Sequence, residues 1–203
     1  VVRDNSITLN NGAGFPGSPS RAVGLGGGMA ISDSLTIVQD NWIAGNHGTN
    51  ANADGWGGGV YGFGGVLRFE GNTIGKNLAT MSITGTGTGG GLFLEQTFPW
   101  LESNRILRNI AARGSGGRGG AATLWSCSVF TLTNNIIARN CASAWASGLD
   151  ISAHGAGELV HNTIVGNLGG DGVGVRVGYS SDVTLTNNIV ASQTVGIQND
   201  DAD

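Results

Sequence analysis

GGGLFLEQTFPWLESNRILRN, the stretch Gly89–Asn109, contains the unit that decides the fold of this chain. It begins with a glycine run, passes through a short segment of alternating apolar residues, turns, and enters a second short segment. It ends in a box of the form Asn-x-Ile-x-x-Asn, made by Asn104, Ile106 and Asn109. The box recurs along the chain, and repetition with a period of about 20–50 residues is typical of solenoid folds.

The box occurs seven times, complete or degenerate, at intervals of 26 to 36 residues. Its first asparagine is Asn5, Asn41, Asn72, Asn104, Asn135, Asn162 or Asn188. Its second is Asn10, Asn46, Asn77, Asn109, Asn140 or Asn167, and Gln193 takes this place in the last copy. Asparagine tolerates the left-handed backbone conformation, and its amide can bond to the same amide in a stacked neighbour. We therefore predict that these residues form structural ladders at the corners of a coil.

The segments between the boxes have the period of β-strands. Apolar residues alternate, as in Leu92 and Leu94 or in Val175 and Val177. Helices are disfavoured because the recurring glycines cost about 1 kcal/mol each at a helical position. Successive repeats stacked about 4.8 Å apart would share one continuous core. The prediction is an all-β parallel β-helix of about six coils with partial ends, three short strands per coil, forming one domain over residues 1–203.

The repeat resembles those of a known class of proteins. The pattern of a glycine run, alternating apolar residues, a turn and the asparagine box is similar to the right-handed parallel β-helix repeats of the pectate-lyase-like superfamily. Val160–Asn167 (VHNTIVGN) and Val183–Ala191 (VTLTNNIVA) resemble the Gly-rich, polymorphic outer-membrane-type repeats of secreted and surface proteins. The resemblance implies a right-handed coil and an extracellular or cell-surface location. It does not imply one activity, because this superfamily includes lyases, hydrolases, epimerases, tailspikes and adhesins.

Composition excludes several partners. The chain has 203 residues, 38 of them glycine, and a net charge of −4 with 10 basic residues, which disfavours nucleic acid and anionic membrane as partners. No apolar run approaches the ~18–20 residues needed to cross a bilayer, so no membrane insertion is expected. The sequence starts at Val1 without a signal peptide, and we expect it to be part of a longer protein or assembly.

The strand after each glycine run, here called the first strand of its coil, presents two outward columns of unlike residues. If its alternating apolar residues point inward, the first outward column is Ala30, Tyr61, Phe93, Thr123, Asp150 and Arg176. The second is Ser32, Phe63, Glu95, Trp125, Ser152 and Gly178. The loops before this strand shorten from the N-terminal to the C-terminal coils and are predicted to form a wall beside it. Long loops on one side of a repeat array mark the binding side.

This face is also where the resemblance to pectate-lyase-like enzymes would place an active site. Its aromatic residues suit stacking on sugar rings, and the predicted ligand-binding residues are Tyr61, Phe63, Phe93, Trp125 and His154. The candidate catalytic residues are Glu95, Asp150 and Arg176. A glycosidase pair needs two carboxylates about 5–10 Å apart, whereas strand spacing places Glu95 and Asp150 roughly 10–12 Å apart. The simpler interpretation of Asp150 and Arg176 is an exposed ion pair worth about 0–1 kcal/mol.

Two further groups of residues have both a functional and a structural interpretation. Lys76, Arg108 and Arg139 precede the second asparagine in three boxes, with Arg105 nearby, and form either a ladder for an acidic polysaccharide or a solvated corner. Cys127 and Cys141 are placed at opposite ends of a strand, Cys141 in a core ladder. That separation exceeds the ~7 Å Cα limit of a disulfide, so two free thiols are predicted.

These observations leave two functional hypotheses. The first is a non-enzymatic extracellular module that binds polysaccharide along the first-strand face or stacks end to end with other copies. The alternative is a polysaccharide lyase, epimerase or hydrolase acting at the same face. No cofactor and no metal site are predicted, although a lyase would call for calcium held by clustered carboxylates.

Overall fold

The computed structural model describes residues 1–12, 23–49 and 53–200 of the chain. Within these ranges the protein consists of short β-strands joined by turns, with no helix, and all strand pairs are parallel. It is a parallel β-solenoid, as the repeats predict. The right hand of the coil and the pectate-lyase-like superfamily stay predictions.

Twenty-eight strands are described. Those before the fourth glycine run are β1 (Val2–Arg3), β2 (Ser6–Thr8), β3 (Val23–Leu25), β4 (Met29–Ser32), β5 (Leu35–Gln39), β6 (Trp42–Ala44), β7 (His47–Thr49), β8 (Asp54–Trp56), β9 (Val60–Phe63), β10 (Val66–Glu70), β11 (Thr73–Gly75), β12 (Leu78–Thr80), β13 (Thr86–Thr88), β14 (Leu92–Glu95), β15 (Phe98–Glu102), β16 (Arg105–Leu107), β17 (Ile110–Ala112) and β18 (Gly116–Arg118). The remainder are β19 (Ala122–Trp125), β20 (Phe130–Thr133), β21 (Ile136–Ala138), β22 (Leu149–Ser152), β23 (Ala156–Val160), β24 (Thr163–Val165), β25 (Val173–Val177), β26 (Asp182–Thr186), β27 (Ile189–Ala191) and β28 (Val195–Asn199).

Three sheets run the length of the solenoid, and each contains seven strands. Sheet 1 holds the first strands of the coils, in the order β4-β9-β14-β19-β22-β25-β28. Sheet 2 is β1-β5-β10-β15-β20-β23-β26, and sheet 3 is β2-β6-β11-β16-β21-β24-β27. Three long sheets agree with the predicted three strands per coil and with the predicted coil number.

Two shorter sheets lie in the segment between sheet 3 and sheet 1. Sheet 4 is β7-β12-β17, and sheet 5 is β3-β8-β13-β18. Sheets 4 and 5 occupy the segments that were predicted to be long loops. Both sheets are confined to the N-terminal coils, where these segments are longest. The predicted wall is therefore itself built of stacked strands in its described part.

The core is made of ladders of equivalent side chains. The column from Ile7 to Val190 is paired in register across all of sheet 3, as predicted. Its central members Ile43, Ile74 and Ile106 have no exposed surface. A second predicted column runs through sheet 2, where Val38 pairs with Phe69 and so on to Leu185. Alternation alone therefore gives the inward face correctly, because every coil repeats the same in-and-out pattern.

The glycine run makes the corner before sheet 1. Gly89 has a φ of +63°, a left-handed conformation in which a side chain would be strained. At Gly90 a Cβ atom would be only 2.5 Å from the carbonyl oxygen of Gly120 in the next coil. One glycine is thus required by the backbone turn, and the other by the close approach of two stacked coils.

Two buried asparagine ladders join the coils. Asn104 shows the arrangement: its Nδ2 donates to Asn135 Oδ1 (3.1 Å) and to the carbonyl oxygen of Phe69 (2.9 Å), while its Oδ1 accepts from the backbone N–H and the Nδ2 of Asn72. The same bonds connect Asn41, Asn72, Asn104, Asn135, Asn162 and Asn188, and in the second ladder Asn46, Asn77, Asn109, Asn140 and Asn167. At the end of the second ladder, Gln193 Oε1 accepts from the backbone N–H of Asn167 (2.8 Å).

One part of the asparagine prediction is wrong. The residue in the left-handed conformation is the one before each ladder asparagine, such as Asp40 (φ 54°), Ser103 (φ 56°) or His161 (φ 56°). The ladder asparagines themselves do not have positive φ. They stabilise the corner through side-chain hydrogen bonds between coils, and their neighbour makes the turn.

The two cysteines are free thiols, as predicted. Cys127 is fully buried, and Cys141 is half-buried. Cys141 pairs with Ile110, and the prediction that it lies in a core ladder is wrong, since Ile110 is 37% exposed. Within the described ranges, no helix has the length and apolar character to cross a membrane.

Candidate functional site

Sheet 1 brings the predicted site residues into the predicted columns. Tyr61 pairs with Phe93, Phe93 with Thr123, Thr123 with Asp150, and Asp150 with Arg176. In the second column Glu95 lies between Phe63 and Trp125. The register derived from the sequence is therefore confirmed along this face.

The exposure expected for the first outward column is wrong. Tyr61 is 9% exposed and Phe93 5%, while Thr123 and Asp150 have no exposed surface and Arg176 only 6%. These side chains point away from the core, yet they lie beneath a second layer. That layer is the column at the end of sheet 5, which comprises Leu25, Trp56, Thr88, Arg118 and Trp145.

Aromatic rings fill the N-terminal part of this double layer. Trp56 meets Phe93 edge to face, with ring centroids 5.5 Å apart, and its ring lies 6.3 Å from that of Tyr61. Tyr61 and Phe93 are themselves 5.7 Å apart. Such contacts hold the rings in fixed orientations and add to the energy of burial.

An open cleft remains between the two layers. It has a volume of about 280 Å³ and is lined by Trp56, Thr88, Phe93, Glu95, Arg118 and Trp125. Of the predicted site residues, the cleft brings together Phe93, Glu95 and Trp125. The other three come from sheet 5 and were not predicted.

The carboxylate of the cleft belongs to Glu95. Its Oε2 accepts a hydrogen bond from the hydroxyl of Tyr61 at 3.1 Å. Burial raises the pKa of Tyr61 strongly, and the negative charge of Glu95 and this hydrogen bond raise it further. Tyr61 therefore stays a neutral donor that orients Glu95, whose half-buried carboxylate faces the cleft.

The cation of the cleft belongs to Arg118. Its guanidinium lies 5.2 Å from the ring centre of Trp125 and 4.6 Å from that of Trp145. Its Nε donates to Asp150 Oδ2 at 3.1 Å. The Nη2 atom is buried and has no hydrogen-bond partner among the described residues. Arg118 lines the cleft with a side chain that is 17% exposed, so its guanidinium presents a positive charge to a ligand there.

Asp150 and Arg176 form a buried pair, so the expected exposed ion pair is a wrong prediction. Arg176 Nη1 donates to Asp150 Oδ1 at 3.0 Å, and the hydroxyl of Ser152 donates to the same oxygen at 2.9 Å. Asp200 pairs with Arg176 from the next coil. Burial opposes the charged form of Arg176, but Asp150 and Asp200 outweigh it and raise the pKa of Arg176. Arg118, Asp150, Arg176 and Asp200 therefore make one alternating chain of charges.

The remaining predicted residues lie outside the cleft. Phe63 is half-buried one coil away from Glu95. His154 is exposed in the turn after β22, with a φ of +63°, and its backbone N–H donates to the carbonyl of Tyr179 at 2.9 Å. In the described part of the chain, no group of three or more His, Cys, Asp or Glu side chains is arranged to hold a metal ion.

The residues that sequence reasoning missed do carry a signal. Trp56, Thr88, Arg118 and Trp145 each stand immediately before the first, left-handed residue of the turn into sheet 1. That position is as regular as the asparagine box, but its residue type changes from coil to coil. The loops before it also differ in length, so the repeat pattern alone does not reveal that these residues form a column.

Comparison of the chain with models of protein families, with curated proteins and with solved structures gave no match.

Proposed function

We propose that this protein is a non-enzymatic, extracellular or cell-surface β-helix module that binds carbohydrate, and that the cleft between sheet 1 and sheet 5 takes a short saccharide segment. The observation that carries the proposal is the composition of the cleft. Two tryptophans, Trp56 and Trp125, line it together with one carboxylate, Glu95, and one guanidinium, Arg118.

Sugar rings match these groups. A pyranose has an apolar face of C–H groups, which stacks on an indole ring, and an edge of hydroxyls, which both donate and accept hydrogen bonds. Glu95 offers acceptors and Arg118 offers a donor, so adjacent hydroxyls can be bound together. The volume of about 280 Å³ lies just below the ~300–1,000 Å³ typical of ligand sites, which favours a short segment.

Catalysis at the same face, by a lyase, epimerase or hydrolase, remains the alternative. Hydrolysis by paired carboxylates requires two of them to reach the substrate. Glu95 lines the cleft, whereas the side chain of Asp150 exposes no surface and is bonded to two arginines and Ser152. This arrangement supports binding over hydrolysis.

The test is oligosaccharide binding by calorimetry, after a screen of neutral and acidic oligosaccharides. Trp125→Ala should weaken the best ligand by at least about tenfold, because it removes about 1.4 kcal/mol or more of stacking. Trp100→Ala is the matched control, since Trp100 is 47% exposed on sheet 2, away from the cleft. Equal losses of affinity in the two variants would show that the cleft is not the saccharide-binding site.

Product analysis with the same oligosaccharides decides between binding and catalysis. The proposal expects no new reducing ends and no unsaturated products after long incubation. Turnover that is abolished by Glu95→Gln, with folding retained, would establish the enzymatic alternative. Stacking of copies, the other form of the hypothesis, is tested on the same samples by sedimentation velocity.

A further inference from the structure

A second groove lies on the outer face of sheet 3, on a different side of the solenoid from the cleft. It has a volume of about 560 Å³. It is lined by residues of five neighbouring strands of sheet 3, which are β6, β11, β16, β21 and β24, and by the corner residues that follow β11, β16 and β21. It is called the basic groove below.

The charges of the basic groove are all positive. Lys76, Arg108 and Arg139 follow strands β11, β16 and β21, which are neighbours in register, so the three cations are spaced by about one coil, ~4.8 Å, along the solenoid. Arg105 lies one strand length from Arg108. No Asp or Glu lines the groove, and none of these four cations forms an ion pair with a described residue. Four of the 10 basic residues of an acidic chain are thus gathered at one site.

The backbone at the three cations has the left-handed conformation, which favours glycine or asparagine. Lys76, Arg108 and Arg139 have φ values of 56°, 57° and 58°. A non-glycine residue is strained in this region. The equivalent corner holds Gly45 in the coil before Lys76 and Gly166 in the coil after Arg139. Long cations at these corners are therefore not explained by the turn, and no described ion pair offsets their cost.

The floor of the basic groove is small and apolar. The residues on either side of the buried isoleucine column point outward, and here they include Gly75, Leu107, Ala138 and Val165. Trp42, 52% exposed, stands at one end. The groove thus combines an apolar floor with a row of cations along one edge.

We infer that the basic groove binds a linear anionic polysaccharide that runs parallel to the solenoid axis. Its rings would lie on the apolar floor, and its carboxylate or sulfate groups would face Lys76, Arg108 and Arg139. A periodic polymer fits a periodic row of cations, because each coil offers one charge in the same orientation. This site differs from the cleft in position and in charge, and its existence does not depend on the proposed function of the cleft.

A single-stranded nucleic acid is a poorer fit for the same charges. Sites of that kind present successive aromatic side chains on which bases stack. The basic groove has one aromatic residue, Trp42, at its end. The experiment therefore includes an oligonucleotide as a competing ligand.

The test variant is Arg108→Asn/Arg139→Asn. Asparagine tolerates the left-handed conformation, so the two substitutions remove charge without straining the corner. The control is Arg3→Asn/Arg113→Asn, which removes the same charge from two exposed positions outside the groove. Thermal unfolding followed by circular dichroism verifies that both variants fold.

Binding is measured by calorimetry with polygalacturonate, heparin, dextran and oligo(dT) at 50 and 150 mM salt. We expect polygalacturonate or heparin to bind, dextran not to bind, and affinity to fall with salt. The groove variant should lose about tenfold or more in affinity, and the control less than about twofold. Comparison of polygalacturonate with heparin identifies carboxylate or sulfate as the preferred group.

Three results would overturn the inference. Equal losses in the two double variants would mean that net charge, and not the groove, controls binding. Equal affinity for oligo(dT) would mean a general polyanion surface. Absence of binding to both anionic polysaccharides at 50 mM salt would leave the cations as a solvated corner.

Discussion

Arg176 is the neighbour of Asp150 in sheet 1, and its Nη1 lies 3.0 Å from Asp150 Oδ1 although the two residues are 26 positions apart in the sequence. Both side chains are buried, and Arg118 binds the second oxygen of Asp150. One carboxylate therefore pairs with two guanidinium groups, and the ring of Trp145 lies 4.6 Å from the guanidinium of Arg118 and 5.2 Å from that of Arg176. This makes Asp150 the electrostatic centre of the outer layer.

Asp150→Ala should destabilise the protein by about 3–5 kcal/mol, because it leaves the buried Arg176 with Asp200 as its one carboxylate partner and leaves Arg118 with none among the described residues. The measurement is denaturant unfolding followed by circular dichroism. Asp4→Asn is the control, since Asp4 and Arg3 form an exposed pair at 3.8 Å and asparagine tolerates the left-handed backbone at this position (φ 57°), so its cost should be less than about 1 kcal/mol. Similar small losses in both variants would contradict the buried network.

The asparagine ladder gives a second prediction about stability. Asn104→Ala removes the acceptor for the backbone N–H and Nδ2 of Asn72 and the donor to Phe69 and Asn135. Since buried polar groups lose their partners, a cost of about 2–4 kcal/mol in unfolding free energy is expected. Asn5→Ala is the matched control. Asn5 is exposed at the end of the ladder and its side chain accepts no described hydrogen bond, so its loss should cost under about 1 kcal/mol.

The repeat pattern predicts the inner half of this structure. Each coil must turn and stack on its neighbours in the same way, so the residues responsible recur from coil to coil. They are the glycine run before sheet 1, the isoleucine column and the two asparagines. Recurrence then reveals both the strands and their register. For the same reason, the register predicted for the columns of sheet 1 agrees with the observed strand pairing.

The outer half could not be predicted in the same way. Alternation distinguishes the side chains that point inward from those that point outward, but it does not show what covers the outward ones. Arg118 covers Asp150 and donates to it, but the position of Arg118 could not be derived because the sheet 5 column follows loops of unequal length. Cys141 was misassigned for a related reason, since its column changes from the buried Leu78 to the exposed Ile110 and Leu168.

The two thiols should differ in reactivity. Cys127 is fully buried and close to the hydroxyl of Thr97 (3.5 Å), whereas Cys141 is half-buried. Burial raises the pKa of both, so the reactive thiolate is scarcer at neutral pH than in a free cysteine. A disulfide reagent should modify Cys141 slowly in the native protein and Cys127 only after unfolding. Cys141→Ser should abolish the native reaction, and fast modification of both thiols would contradict this assignment.

Tyr61 gives a prediction about alkaline pH. Its pKa is raised above the ordinary value of 10.0 by burial and by Glu95, so above about pH 10 the unfolded chain releases a proton that the folded chain keeps. Stability present below pH 10 should then fall by about 1.4 kcal/mol per pH unit as the pH rises toward the folded pKa. At pH 8 the Tyr61→Phe variant should have an unfolding free energy about 1 kcal/mol lower than that of the unchanged protein, because it lacks the hydrogen bond to Glu95. Above pH 10 the unfolding free energy of the variant should fall less steeply than that of the unchanged protein, because phenylalanine does not ionise. The measurement is denaturant unfolding of both proteins at pH 8, 10 and 11. A difference between the two unfolding free energies that stays constant across this range would show that Tyr61 ionises equally in both states.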